Sequence, residues 1–249
     1  MCEECPKVEP TLLGRRQMLG FASFLVGGAA LGLSSGRALA DECAPFLEEA
    51  QSAATSDQAI QMLVDGNARF FAGASLHCDL LGEVKATAEK QTPFACVLAC
   101  IDSRSAPELV FDQQVGDIFV ARVAGNVPTA EILGSFEYAT KVAGAKAIVV
   151  LGHNHCGAVK GAVDKADVGA NLTTLLNEIE PAVVATPLEG ERSSKNHHFV
   201  EAVAETNVRL AVAAMTEKSA VLKELVDAGA VKVVGALYDI ETGKVTFLS

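Results

Sequence analysis

Two short apolar runs in this chain each end in residue types that bind a borderline-soft metal ion. The first run, residues 94–99, is followed at once by Cys100, and the second, residues 147–151, is followed by His153 and Cys156. Runs of this length and composition are typical of buried strands in a parallel sheet. Ligands bind at the carboxyl ends of such strands. The sequence therefore predicts that the two strand ends meet at one edge of a sheet and form a single site.

The residue types at these strand ends predict a zinc site. Thiolate and imidazole are preferred zinc ligands, and a closed structural site normally has four of them, whereas Cys100, His153 and Cys156 are three. Asp102 could take the fourth position, or Arg104 could hold its carboxylate in a fork of hydrogen bonds. The spacing thus allows a switch of the carboxylate between arginine and zinc. Either motif alone is equally compatible with an ordinary strand-end turn; together they favour one catalytic zinc ion per subunit.

The rest of the chain alternates between strand and helix patterns, which predicts an α/β fold. Five strands are predicted, over residues 94–99, 117–121, 147–151, 231–237 and 244–248. Helical segments are predicted over residues 56–71, 107–111, 129–143, 157–165, 171–180 and 198–227, the last of them broken or unbroken. This alternation favours a mainly parallel central sheet flanked by helices. We expect a single catalytic domain over residues 41–249.

The first forty residues have the pattern of an export signal. Arg15 and Arg16 precede an uncharged apolar stretch, and residues 38–40, Ala-Leu-Ala, form a small-x-small cleavage site. A basic start, an apolar core and a cleavage site are typical of a signal peptide, and paired arginines indicate the twin-arginine route. The alternative is an uncleaved membrane anchor, because the apolar stretch with its flanks is almost long enough to span. We expect cleavage before Asp41 and export to the periplasm.

The charge of the predicted mature chain restricts its partners. The full chain has a net charge of −11, and removal of residues 1–40 leaves 16 basic and 28 acidic residues, a net charge of −12. This charge argues against nucleic acid and anionic membrane surfaces as partners. The remaining chain is long enough for one sizeable core, and none of its apolar runs has the length of a bilayer span.

The other cysteines have separate interpretations. The chain has seven cysteines, of which Cys2 and Cys5 lie in the predicted leader. Cys96 lies inside the first apolar run and is expected to be a buried, inert thiol. Cys43 and Cys78 flank the first helical segment. In an oxidising compartment they could form a disulfide or remain free thiols, and the sequence leaves both open.

Several ordered blocks resemble the β-class carbonic anhydrases. Cys100-x-Asp102-Ser103-Arg104 is similar to the first signature of that family, and Gly152-His153-x-x-Cys156-Gly157 is similar to the second. Further similar blocks are Gly66-Asn67-x-Arg69-Phe70, residues 116–120, Arg122, Ala124-Gly125-Asn126 and residues 235–239. The resemblance implies zinc-dependent, reversible hydration of carbon dioxide to bicarbonate and a proton. It also implies Cys100, His153 and Cys156 as ligands, with Asp102 and Arg104 as a catalytic dyad.

The resemblance further implies a substrate pocket and an oligomer. Gln91 matches a glutamine that donates a hydrogen bond to substrate, and Phe119 and Ala124 match residues that line an apolar pocket for carbon dioxide. Tyr138 matches an aromatic residue that closes the site of the neighbouring subunit. Because the family is built on dimers that often pair, a homodimer or homotetramer is expected.

One departure from the family predicts the type of site. In family members whose activity is controlled by non-catalytic bicarbonate, a tryptophan lies three residues before the first cysteine. Here that position is Val97, and the chain has no tryptophan. Arg122 matches another part of the gating site, but the set is incomplete. Together with Gln91, this departure predicts a plant-like, open site in which Asp102 is bound to Arg104 rather than to zinc.

Two other functions are compatible with the same residues. Relatives that resemble this family hydrolyse carbon disulfide or carbonyl sulfide, and a non-catalytic zinc protein could retain the fold. Among the remaining histidines, His155 is expected to point away from the metal, and His197 and His198 are expected in a solvated polar loop. Tyr238-Asp239 is interpreted as a structural turn.

Overall fold

A five-stranded sheet forms the centre of the part of the chain that the structure, a computed structural model, describes: residues 43–44, 46–167, 169–187 and 190–249. The strands are β1 (Ala95–Ala99), β2 (Ile118–Arg122), β3 (Ala147–His153), β4 (Lys232–Tyr238) and β5 (Val245–Phe247). Their order is β2-β1-β3-β4-β5, and β5 alone among these five runs antiparallel to its neighbour. The predicted α/β fold with a mainly parallel sheet is confirmed. The predicted signal peptide, residues 1–40, and Asp41 lie outside the described residues.

Helices cover both faces of this sheet. They are α1 (Glu48–Ala53), α2 (Ser56–Phe71), α3 (Leu80–Ala86), α4 (Pro107–Val110), α5 (Ala130–Glu137), α6 (Gly157–Val163), α7 (Ala170–Asn177), α8 (Glu180–Ala185), α9 (His197–Lys218) and α10 (Ala220–Asp227). Helix α5 continues into a wider turn over Tyr138–Val142. Among the residues that the structure describes, no helix combines the length and the apolar character needed to cross a membrane.

The predicted helix over residues 198–227 begins one residue earlier in the structure and is broken, one of the two possibilities that the sequence left open. Asn196 caps α9 by accepting a hydrogen bond from the backbone N–H of Phe199 at 3.3 Å. This cap places His197 and His198 in the first helical turn. The assignment of His197 to a polar loop was therefore wrong, and His198 lies in the helix that was predicted to begin there. Ser219 adopts an extended conformation and caps α10 by accepting from Leu222 N at 3.1 Å, which divides the predicted helix in two.

The central strands are apolar throughout because the protein buries both of their faces. Every residue of β1 and β3 is buried. Val97 belongs to the core cluster on one face that includes Leu63 of α2, and Leu98 belongs to the cluster on the other face that includes Phe136 of α5. A continuous apolar run is the expected pattern for such a strand. Cys96 lies among these residues with no exposed surface, as expected of an inert thiol.

The Gly-Asn block in α2 is a packing element. A Cβ atom added to Gly66 would lie 1.8 Å from the carbonyl oxygen of Phe111, so only glycine allows this close approach. Asn67 donates from Nδ2 to the carbonyls of Val110 at 2.9 Å and Gly243 at 3.0 Å. Its Oδ1 accepts from the N–H of Val245 at 2.8 Å. The block therefore joins α2 to the end of α4 and to the β4–β5 connection.

A disulfide between Cys43 and Cys78 resolves the alternative that the sequence leaves open. The two sulfurs are bonded, with a Cα–Cα distance of 5.4 Å and a sequence separation of 35 residues. By the chain-entropy model, a disulfide that closes a loop of this length stabilises the fold by about 4 kcal/mol, because it restricts the unfolded chain. The bond attaches the segment before α1 to the loop that follows α2.

Candidate active site

Three buried side chains converge at the carboxyl edge of β1 and β3. Cys100 directly follows β1, His153 is the last residue of β3, and Cys156 is the N-cap residue of α6. Their ligand atoms all lie within 4.8 Å of one another, and the two sulfurs are 4.0 Å apart. Each side chain is at most 4% exposed. The pairing of β1 with β3 in parallel brings these strand ends together, because Ala99 is in register with Leu151.

The geometry of these three side chains fits a zinc ion. Two thiolates on tetrahedral zinc, each about 2.3 Å from the metal, lie about 3.8 Å apart, close to the observed separation of the sulfurs. His153 Nδ1 lies 2.7 Å from the carbonyl oxygen of Asn154, which assigns the proton to Nδ1 and leaves a lone pair on Nε2. That Nε2 atom is buried and has no hydrogen-bond partner among the described residues. A buried acceptor without a partner costs about 1–3 kcal/mol, and a bound zinc ion would satisfy it.

The two cysteines differ in how easily they lose a proton. The hydrogen bond from Cys156, against an opposing effect of burial, lowers the pKa of Cys100 to about 4. The same contact with Cys100, together with burial, raises the pKa of Cys156. The backbone N–H of Gly125 also donates to Cys100 Sγ, at 3.4 Å. Because zinc binds thiolates, occupation of the site has to release the proton that this pair retains.

Arg104 holds the carboxylate of Asp102 at the border of the site. Arg104 donates from Nε to Oδ1 at 2.9 Å, from Nη2 to Oδ2 at 2.7 Å and from its backbone N–H to Oδ1 at 3.0 Å. These bonds, against a smaller effect of burial, hold the pKa of Asp102 well below its usual range. Asp102 Oδ2 lies 4.0 Å from His153 Nε2. The carboxylate is therefore ionised, restrained and adjacent to the three candidate ligands.

Comparisons with known proteins identify the family. A family model described as carbonic anhydrase matches residues 95–245, more than half of the chain. A carbonic anhydrase of Mycolicibacterium smegmatis is 38% identical over 188 residues, which are 75% of this chain and 90% of that protein. Carbonic anhydrase 2 of Mycobacterium tuberculosis is 35% identical over 183 residues, 73% of this chain and 87% of that protein. The chain belongs to the carbonic anhydrase family.

Solved structures assign the fold to the β class of carbonic anhydrases. The β-carbonic anhydrase CafA of Aspergillus fumigatus is 27% identical, with a TM-score of 0.60 over 68% of this chain and 81% of that chain. One of two tetrameric β-carbonic anhydrases of Sordaria macrospora is 25% identical, with a TM-score of 0.58 over 66% of this chain and 85% of that chain. The resemblance to the β-class family inferred from the two signatures is confirmed.

Arg122 has a structural role in this carbonic anhydrase that the sequence did not indicate. It donates from Nε to the carbonyl oxygen of Cys100 at 3.0 Å and from Nη2 to that of Asp102. Arg122 is the last residue of β2, and β2 pairs with β1, so the neighbouring strand holds the loop that carries the first cysteine. The resemblance to the family implied that Arg122 is part of a bicarbonate-binding site. Nothing in the sequence distinguishes that role from a bond to the loop backbone.

The loop between His153 and Cys156 points its remaining side chains away from the candidate ligands. His155 adopts a left-handed conformation with φ of 54°, and its Nε2 lies 3.1 Å from Oε1 of Glu241. Asn154 donates from Nδ2 to Asp239 Oδ1 at 2.9 Å and accepts from the N–H of Ile240 at 2.9 Å. The expected orientation of His155 and the structural role of the turn at Asp239 are both confirmed.

The four expected pocket residues of the carbonic anhydrase fall into two groups. Ala124 opens the short turn Ala124–Asn126 that contacts Cys100. Gln91, Phe119 and Tyr138 lie near the other end of β1. Gln91 is exposed and precedes that strand, and Phe119 is in register with Cys96 at its start.

Strand length separates this second group from the ligands. Four residues of strand, at about 3.3 Å per residue, correspond to roughly 13 Å between the level of Phe119 and that of Cys100. Tyr138 packs on Phe119 with ring centroids 6.4 Å apart and is 52% exposed. Within one subunit the structure therefore does not bring Gln91, Phe119 or Tyr138 to the candidate zinc ligands.

Proposed function

We propose that this carbonic anhydrase hydrates carbon dioxide reversibly to bicarbonate and a proton, with one zinc ion held by Cys100, His153 and Cys156. The observation that carries the proposal is the convergence of these three buried ligand atoms beside a restrained carboxylate. Zinc, when bound, lowers the pKa of water to about 7 in favourable cases and so supplies a nucleophile at neutral pH.

The remaining residues of the site orient the reaction. Ionised Asp102 can only accept hydrogen bonds, so it orients the hydroxyl group of the reacting water. Arg104 keeps that carboxylate away from the metal, which corresponds to the open type of site predicted from the sequence. Ala124 contributes an apolar side chain to the turn whose Gly125 N–H contacts Cys100, and such a side chain does not compete with carbon dioxide for hydrogen bonds.

We also propose that the active protein is a homodimer or homotetramer. The exposure of Tyr138 and Gln91, and their distance from the ligands of their own subunit, support this proposal. In a second copy they would complete the substrate pocket together with Phe119. The relatives from Sordaria macrospora are described as tetrameric, which is consistent with such an assembly.

The proposed function predicts one zinc ion per subunit and a fast hydration rate in the purified mature protein. Zinc content is measured by elemental analysis, and hydration of carbon dioxide by stopped flow with a pH indicator. Removal of zinc with a chelator should abolish the rate, and added zinc should restore it. Metal-free, inert protein would contradict the proposal. Release of hydrogen sulfide from carbonyl sulfide or carbon disulfide, without hydration of carbon dioxide, would favour the alternative hydrolase.

We further propose export by the twin-arginine route. Arg15 and Arg16 support it, and so does the Cys43–Cys78 disulfide, because such bonds persist in oxidising compartments. Intact-mass analysis of periplasmic protein should give a chain that begins at Asp41 and gains two hydrogen atoms on reduction. A periplasmic chain that still begins at Met1 would overturn the cleavage, and recovery from the cytosol alone would overturn the export.

A further inference from the structure

Asn207, on helix α9, is connected to Cys100 through one backbone turn. Its side chain is 4% exposed, and its Nδ2 donates to the carbonyl oxygen of Gly125 at 2.8 Å. The N–H of Gly125 donates in turn to Sγ of Cys100 at 3.4 Å. A buried side-chain amide therefore restrains the residue whose own amide faces a candidate zinc ligand.

The turn at Gly125 requires such a restraint. Its φ is +73°, a conformation in which other residues are strained, and a Cβ atom added there would lie 2.4 Å from Cδ1 of Ile179 and would displace that side chain. Glycine has access to several backbone conformations of similar energy, and its own sterics therefore do not fix the direction of its N–H. The hydrogen bond from Asn207 to the Gly125 carbonyl removes part of this freedom.

Helix α9 provides a rigid support for this hydrogen bond. Val208, the residue after Asn207, packs so closely on β3 that a Cβ atom added to Gly152 would lie 2.5 Å from one of its methyl carbons. Gly152 directly precedes His153. The same helix thus contacts the strand that ends in the histidine ligand and the turn that faces Cys100, so it can hold both in a fixed relation.

We propose that Asn207 is a positioning residue of the zinc site, which holds the Gly125 N–H against the Cys100 sulfur and thereby raises the affinity for zinc. The inference rests on the proposed function, because it takes Cys100 as a zinc ligand. Cys100 is 4% exposed, so water has little access to its thiolate and a backbone donor takes the place of solvent. Groups that hydrogen-bond metal ligands typically change metal affinity by about 10–100-fold.

The test compares the variants Asn207→Leu and Asn207→Asp with the control Thr206→Val. Thr206 lies on the same helix, and its Oγ1 donates to the carbonyl of Ala202 at 2.9 Å and accepts from the Thr186 hydroxyl at 2.9 Å. The dissociation constant for zinc is measured by competition with a chromophoric chelator. The thiolate-to-metal charge-transfer band is measured after cobalt substitution.

Because Asn207 acts through Gly125, both variants should bind zinc more weakly than the wild type by about 10-fold, the lower end of that range, and should shift the charge-transfer band. Thr206→Val should change neither quantity. A residue with only a structural role would lower the melting temperature and leave both quantities unchanged, and that result would overturn the inference while the proposed function stands. Wild-type protein that binds no zinc would overturn both.

A measurement on the wild type covers the case in which the Asn207 variants do not fold. With NMR-active cadmium in the site, the amide proton of Gly125 should show scalar coupling to the metal through the Cys100 sulfur. A spectrum of loaded protein without that coupling would overturn the inference.

Discussion

Replacement of Cys100 or Cys156 by alanine is expected to weaken zinc binding by roughly two to three orders of magnitude and to abolish hydration of carbon dioxide. Binding free energies of about 10–16 kcal/mol for four-ligand structural zinc sites correspond to roughly 3–4 kcal/mol per ligand, or a loss of two to three orders of magnitude in affinity. The loss of activity should be larger still, because a site with two protein ligands no longer fixes the metal beside Asp102. Zinc content and stopped-flow rate, measured on the same samples, provide the test.

Cys96 provides a matched control for these two substitutions. It lies on β1, four residues before Cys100, is fully buried and is not among the three converging side chains. Cys96→Ala should lower the free energy of unfolding by on the order of 1 kcal/mol, because it leaves a small cavity, and should retain zinc. Equal loss of zinc in Cys96→Ala and Cys100→Ala would mean that damage to the sheet, rather than removal of a ligand, explains the result.

The convergence of the three candidate ligands could be predicted because it depends on local patterns and one general rule. The apolar runs before Cys100 and His153 indicate buried strands, and parallel strands end at one edge of a sheet. The remaining requirement, that β1 and β3 be neighbours, is a matter of strand order. The sequence does not contain it explicitly, and the structure supplies it through the pairing of Ala99 with Leu151.

The contacts around the candidate ligands could not be predicted, because they depend on tertiary packing. The bonds of Arg122 to the loop backbone require the register of β2 with β1, and the position of the Gly125 N–H requires the turn that Asn207 restrains. One signal for Asn207 was present. It is a polar residue among the buried apolar positions of the predicted helix, next to Val208, and such a residue usually has a specific partner.

The expected pocket residues show what a resemblance to a family leaves out. Similarity to the family implies a pocket role for Phe119 and a role for Tyr138 at the site of the neighbouring subunit, but it does not give the distance of either residue from the ligands of its own subunit. Strand length gives that distance for Phe119, which lies at the level of Cys96 and not at the level of the ligands. The sequence does not contain the register of β1 with β2. The separation of Phe119 from the candidate zinc ligands follows only from that register.

Asp102→Asn is expected to reduce turnover by about 10²–10⁴-fold, the range for loss of a positioned acid–base group, while zinc content stays at the wild-type level. The physical reason is the number of acceptors. The Asp102 carboxylate accepts three hydrogen bonds from Arg104 and retains lone pairs toward the site. An asparagine has one acceptor oxygen, and its amide hydrogens would face either the guanidinium donors or the reacting hydroxyl group.

Three further variants make this expectation specific to the dyad. Arg104→Ala should also lower turnover, because it frees Asp102 to approach the metal. The double variant Asp102→Asn/Arg104→Ala should turn over only slightly more slowly than the slower of the two single variants, as is typical of residues that act as a unit. Asp164→Asn provides the control, since this exposed carboxylate bonds Ser194 and is not one of the site residues. It should leave turnover unchanged. An unchanged rate in Asp102→Asn at full zinc occupancy would show that the carboxylate does not orient the reacting water. The hydrogen bonds from Arg104 to Asp102 would then have only a structural role.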